Sequence, residues 1–213
     1  CAVGAEYSSF VKSFRALNSA FMEFAQQTFD DFRILSEAEK HCVSSISILQ
    51  FKALDDAYRS TSHFPNDNTI MPSYLSQITA EEEDIERFVD DCPHSFNRKD
   101  IIKKVQLSLK RKIEMTKLQF IRVKPSEEEF LVLLGLSFWS NRIADHRENL
   151  VEIVERNRRE ILAELHHVYI RNGSYNYASR LGELLCLLVS LERCAMLEIE
   201  DLTVYKLMNF YNE

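Results

Sequence analysis

The chain has 213 residues, 46% of them hydrophobic, and a formal net charge of −7. That apolar content supports a sizeable core in one large domain or two small ones. The acidic balance argues against nucleic acid as the default partner, and no stretch carries the roughly eighteen apolar residues of a membrane span.

Only 4 Gly and 4 Pro are present, so elements run long, and their periodicity is helical. The chain opens in mid-pattern at Cys1, without an initiator Met or a signal peptide, and reads as a fragment. Phe10, Phe14, Leu17, Phe21 and Phe24 recur at helical steps and predict an amphipathic helix over residues 10–30. A corner follows in FDDFRILSEAEKHCVSS, where Phe32 and Leu35 pin the connection to the core. Ser36 and Glu39 have capping-box spacing and open a helical stretch over 37–60, with room for one break. Residues 61–78 hold two prolines and the Asn66-Asp67-Asn68 turn cluster, and predict a short β-hairpin. Thr79 and Glu82 have capping-box spacing again, and Glu81 to Asp84 make an acidic first turn. A basic helix is expected over 98–122. Pro125, Ser126 and Glu129 then start an apolar, central helix. An amphipathic helix over 148–170 ends before Asn172-Gly173. A last long helix runs from 175 to about 199, and DLTVYKLMNFYNE forms a short amphipathic tail. With no internal repeat and no low-complexity linker, the chain reads as a single all-α domain.

Chemistry-bearing patterns are sparse. The 5 cysteines show no CxxC spacing, fit a reducing compartment and read as buried free thiols. The 6 histidines form no metal motif. No phosphate-binding Gly-rich loop, nucleophile elbow or paired acid and base emerges, so an enzyme is not expected. The cations Arg98, Lys99, Lys103, Lys104, Lys110, Arg111 and Lys112 read as a solvated helix face rather than a phosphate site. Leu184 to Leu188 spell LxxLL, but in a mid-helix apolar run that suits core.

The corner is where the residues become specific. Phe32-x-x-Leu35-x-x-x-Glu39-Lys40 resembles the F-x-x-L-x-x-x-D-Q signature of nuclear hormone receptor ligand-binding domains. Phe24-Ala25-Gln26 is similar to that family's F-A-K, with one extra residue before Phe32. Ala57-Tyr58-Arg59-Ser60 resembles the end of its fifth helix, PSEEEFLVLLGLSFW its eighth, and YASRLGELLCLLVSLE its fused tenth and eleventh. The flavour resembles the nematode-expanded branch related to hepatocyte-nuclear-factor-type receptors.

The resemblance implies a three-layer antiparallel helical sandwich with one short hairpin, lacking all or part of the first helix. It implies a nuclear, ligand-modulated transcription regulator. DNA binding and zinc would belong to a zinc-finger domain absent from this piece, and no membrane is involved. The ligand would be lipophilic, such as a fatty acid, with walls at Phe14, Leu17, Phe21, Leu54, Arg59, Ile70, Met71, Leu188 and Leu191. Arg59 would anchor a carboxylate there, or pair instead with Asp55 or Asp56. The alternative is a ligand-independent dimerisation and corepressor-binding module whose pocket is filled by its own side chains. Homodimerisation or receptor heterodimerisation is expected through Tyr177, Arg180, Leu181, Leu184 and Leu188. A coregulator groove is expected at Gln26, Gln27, Glu39, Lys40, Lys206, Leu207, Met208 and Asn209. The family's charge clamp lacks both its members here. Gln26 or Gln27 stands where a lysine is expected, and Lys206 or Asn209, depending on register, where a glutamate is. A corepressor is therefore a better expectation than an LxxLL coactivator.

Overall fold

The computed structural model describes residues 3–73, 76–90, 92 and 97–207, with backbone alone at 144, 146 and 204–207. In chain order the elements are β1 (Val3–Gly4), α1 (Tyr7–Thr28), α2 (Asp30–Arg33), α3 (Glu37–His63), β2 (Ile70–Ser73), β3 (Ser76–Ile78), α4 (Glu82–Val89), α5 (Arg98–Lys112), α6 (Leu118–Val123), α7 (Glu127–Phe138), α8 (Asn141–His146), α9 (Val151–Arg171) and α10 (Ala178–Leu207). A π-helical turn, Ile113–Lys117, joins α5 to α6, and a 3-10 turn, Glu148–Leu150, leads into α9. The fold is all-α with a small sheet, as the breaker-poor sequence requires.

The chain divides into two compact units, one of Cys1–Leu17, Asp55–Arg122 and Arg193–Glu213, the other of Asn18–Leu54 and Val123–Glu192. The first unit carries the sheet, in the order β1-β3-β2. β2 and β3 pair antiparallel, Ile70 opposite Ile78, inside the expected hairpin segment 61–78, with the Asn66–Asn68 cluster ahead of β2 rather than between the strands. β1 adds a parallel third strand, Val3 opposite Ser76, which the expectation of a lone hairpin missed. Two residues are too few to show alternation in sequence. Ala5, Tyr7, Ile70, Ile78, Ile85, Phe88, Ile101 and Ile113 form its core. Lys117, fully buried in the π turn, donates to the carbonyls of Asp67 and Thr69 at 2.7 Å each, fastening the chain that enters β2. Burial holds its ammonium below the usual lysine range, with the Asp67 carboxylate opposing the shift.

The second unit centres on an aromatic cluster. Phe29 stacks on Phe138 with ring centroids 4.6 Å apart, and Phe21 and Phe32 meet the same ring at 5.3 and 5.4 Å. Trp139 meets Phe29 edge-on at 5.6 Å. Aromatic pairs in these offset and edge geometries are worth about 0.5–1.5 kcal/mol each beyond their buried area. α7 packs on α9 across Gly135, where a Cβ would come within 2.9 Å of the Ile161 Cδ1 atom.

Several local expectations need correction. The helix from Glu37 is unbroken to His63, so the allowance for a break was unnecessary. The Thr79–Glu82 capping box is not formed: α4 starts after Glu81, and the Thr79 hydroxyl donates to Asp84 at 2.6 Å instead. α10 starts at Ala178 and continues to Leu207, so the first residues of the supposed separate tail are helix extension. No Gly or Pro lies between Ile199 and Leu207, so the sequence carries no stop at the expected helix end near residue 199.

Candidate functional site

The site is built around the Phe32–Lys40 corner. α1 ends at Thr28, α2 makes one turn, and Phe32 and Leu35 are buried, at 0% and 7% exposure. Ser36 and Glu39 then form the expected capping box. The Ser36 N–H donates to Glu39 Oε2 at 2.9 Å, and the Glu39 N–H donates to Ser36 Oγ at 3.4 Å. These Ser36 bonds hold the Glu39 carboxyl below its usual range. Asn149 donates to the other Glu39 oxygen at 2.5 Å, and Asp31 accepts from Arg156 and Asn157, each at 2.6 Å. The corner is thus clasped by the residues that open α9, and Glu39 acts as a cap rather than a groove-facing acid.

Beside the corner lies an open cleft of about 480 Å³ lined by Glu23, Gln26, Gln27, Arg33 and Lys40. Gln26, Gln27 and Lys40 were expected here, and the structure brings them together. Glu23 and Arg33 were missed, although Glu23 stands one turn before Gln27 and accepts from its amide at 3.1 Å. Each cation of the cleft already has a local partner, Asp30 for Arg33 and Glu37 for Lys40. Both are helix-surface pairs of the weak kind. The lining is therefore polar, with a carboxylate at one position and two cations, and neither glutamine supplies a clamp charge.

A second constellation sits at the start of α7. Arg180 of α10 grips Glu129 with two nitrogens, at 2.8 and 2.6 Å. It also donates to the carbonyls of Val123 and Lys124 at 2.7 and 3.1 Å. Lys124 has φ of 47°, a left-handed conformation uncommon outside glycine, and this grip holds it. Tyr169 donates to Glu129 at 2.7 Å. Burial pushes the Glu129 carboxyl up, but the Arg180 and Tyr169 bonds outweigh it and leave it below the ordinary range.

The profile described as ligand-binding domain of nuclear hormone receptor matches residues 5–208. The chain belongs to the nuclear hormone receptor ligand-binding domain family. Members of that family are ligand-regulated transcription factors rather than enzymes, are typically nuclear, and generally dimerise and bind coregulators. A relative in Caenorhabditis elegans, "High zinc activated nuclear receptor protein", is 24% identical over 193 residues, covering 86% of this chain. The chain spans 45% of that relative's length. No helix among the described residues is long and apolar enough to cross a membrane.

As a receptor ligand-binding domain, the chain places its expected ligand residues as follows. Phe14, Leu17, Arg59, Ile70 and Met71 belong to the first unit, and Phe21, Leu54, Leu188 and Leu191 to the second. Phe14 and Leu17 are half-buried, while Phe21, Leu54, Ile70, Met71, Leu188 and Leu191 are buried. Arg59 is closed on its own helix, to Asp55 at 2.6 Å and to fully buried Asp56 at 3.0 Å. Its Nη1 is buried without a hydrogen-bond partner among the described residues. Of the expected seam, Leu184 and Leu188 turn inward at 2% and 3% exposure. Tyr177 stacks on Tyr169 at 4.8 Å and bonds His166, and Arg180 is the internal clamp described above. Leu184 and Leu188 are thereby corrected as seam residues, while Tyr177, Arg180 and Leu181 are half-buried. The outward apolar positions nearby are Leu185 at 37% and Val189 at 61%, one step around the helix. Lys206 and Leu207 lie in α10 with backbone alone described, and Met208 and Asn209 fall outside the described residues.

The basic stretch meets expectation in part, with Arg98, Lys99, Lys103 and Lys110 exposed. Lys104, Arg111 and Lys112 bind carboxylates within their own unit rather than forming a solvated face. Of the thiols, Cys92 and Cys194 are buried but Cys186 is exposed, and Cys1 falls outside the described residues. Burial pushes the Cys194 thiol up to about 12.

Proposed function

We propose that this chain is the ligand-binding and dimerisation domain of a nuclear-receptor transcription factor that recruits a coregulator at the Gln26–Lys40 cleft. The observation that carries it is the cleft itself, framed by the family signature and walled by α1 and the start of α3. Its ligand is lipophilic, such as a fatty acid, and its coregulator is of corepressor type rather than an LxxLL coactivator. DNA contact belongs to a part of the protein outside this chain.

A second reading has a specific observation behind it. Arg59 already faces two carboxylates, and one of them, Asp56, also binds Lys112 at 2.7 Å. A fatty-acid carboxylate would have to compete for a guanidinium that is already neutralised. That favours a ligand-independent module, or an apolar ligand without an acid group. Native mass spectrometry of the purified chain separates these readings. A co-purified lipid whose affinity falls in Arg59→Ala supports the anchored ligand, a lipid indifferent to Arg59→Ala removes the anchor, and no lipid supports the ligand-independent module. The relative's name gives a response to high zinc, and equilibrium dialysis against zinc in the same preparation tests that alternative ligand.

A further inference from the structure

α5 turns a cationic face to solvent on a chain whose formal net charge is −7. The inner side of the helix is fixed by packing. Ile101 and Ile102 are buried in the first unit's core, Val105 and Leu109 pack against it, and Gln106 donates to the Ala80 carbonyl at 2.8 Å. Helical geometry therefore sets Lys99, Lys103, Leu107 and Lys110 together on the outer side, over about 16 Å of helix. All four are exposed, Leu107 at 54%. The other cations of α5 are engaged: Arg98 with Asp90, Lys104 and Arg111 with Asp201, and Lys112 with Asp56 and Glu198. Lys99, Lys103 and Lys110 have no ion-pair partner among the described residues. A single exposed leucine is ordinary on a protein surface. One set among three unneutralised lysines is a face with both a charge and an apolar centre.

We propose that this face of α5 docks an acidic peptide segment that carries one bulky apolar side chain. Carboxylates one helical turn apart on the segment meet Lys99, Lys103 and Lys110, and the apolar side chain covers Leu107. Charge complementarity selects the occupant: the lysines attract and orient it, and Leu107 discriminates among acidic segments. Duplex nucleic acid is a poorer match, because exposed Asp100 and Glu114 flank the lysines and Leu107 would be set against phosphates. An anionic membrane is also a poorer match, since one exposed leucine gives no apolar face to bury. The residues of this face all belong to the first unit and those of the Gln26–Lys40 cleft to the second, so the docking face stands independently of the coregulator reading.

Fluorescence anisotropy of the full chain with a labelled peptide tests it. The probe is a short helical peptide with glutamates at steps of four and one phenylalanine between them. Its controls are the same peptide with alanine in place of the phenylalanine, a labelled duplex oligonucleotide and, by co-sedimentation, vesicles of anionic phospholipid. The phenylalanine peptide should bind saturably. Its affinity should fall about tenfold or more when Lys103→Glu and Lys110→Glu are combined, and should also fall as salt is raised. Leu107→Ser should weaken the phenylalanine peptide and leave the alanine peptide unchanged, because only the first loses an apolar partner. The neutral pair Lys103→Gln and Lys110→Gln should weaken binding in the same direction and keeps the test available if charge reversal disturbs the fold. Four results overturn the proposal: no saturable binding of the phenylalanine peptide, unchanged affinity in both lysine variants, an equal response of the two peptides to Leu107→Ser, or tighter binding of the duplex or the vesicles.

Discussion

At the scale of single residues, Glu129 and Arg180 show how one ion pair can serve several purposes. The carboxylate is 6% exposed and completes the capping box that opens α7, while the guanidinium is 29% exposed and spans a corner that includes a left-handed residue. Removing the Glu129 charge leaves Arg180 with the two backbone carbonyls and the exposed Glu183 alone. Glu129→Gln should therefore cost about 2–3 kcal/mol, the low end for a buried pair because Arg180 keeps some solvent. The folded carboxyl lies below its ordinary value of 4.5, so the unfolded chain binds that proton more readily. The stability it contributes is full above that value and is lost as pH falls through the folded value. Urea unfolding followed by circular dichroism from pH 6 to pH 3 should show a steep acid limb in the wild type and a shallower one in Glu129→Gln. Equal limbs would mean that this pair carries no acid sensitivity.

At the scale of elements, the junction of α1, α2 and α3 decides what the cleft accepts. In the resembling receptors, a lysine and a glutamate hold the two ends of a partner helix by its dipole. Here the cleft offers Gln26 and Gln27 in place of that lysine, and its cations, Arg33 and Lys40, belong to the corner and carry partners of their own. Losing two charge-assisted contacts costs a few kcal/mol, roughly a hundredfold in affinity. A labelled LxxLL peptide should accordingly bind weakly or not at all in fluorescence anisotropy, with or without lipid. Tight, saturable binding that disappears on mutating Gln26 and Gln27 would show that the glutamines suffice as a clamp.

At the scale of the whole molecule, self-association is expected through α10, but not by the residues that hydrophobic periodicity picks out first. Leu184 and Leu188 are buried within the chain, and burial there leaves nothing to offer a second copy. Leu185 and Val189, one turn apart and facing outward, are the pair an isologous seam would cover. Sedimentation velocity should find a dimer for the wild type and a monomer for Val189→Glu. The half-buried Leu181, replaced by glutamate, should weaken the dimer less. A wild-type monomer at every concentration would end the proposal, and a dimer unaffected by Val189→Glu would move the seam elsewhere.

The sequence by itself determined the helical character of the chain, the corner at Phe32 and the two capping boxes at Ser36 and Ser126. These are set by contacts within a few residues: helical steps, a hydroxyl three residues before a glutamate, and the scarcity of Gly and Pro. The family also showed at this level, because its signature lies in one continuous run. Tertiary structure alone decided which face of α10 is inward, that β1 joins the sheet, and that Arg180 belongs to Glu129, 51 residues away. The run from Leu184 to Val189 has no polar residue to mark its outside, so periodicity within it leaves Leu184 and Leu185 equivalent until neighbours are in place. The same holds for the basic stretch. Lys104, Arg111 and Lys112 look like any solvated cations in sequence, and only the approach of Asp56, Glu198 and Asp201 from α3 and α10 turns them into a half-buried ion-pair lattice. Charge partners separated by tens of residues are assigned by folding, because a Coulomb interaction depends on distance in space and not along the chain.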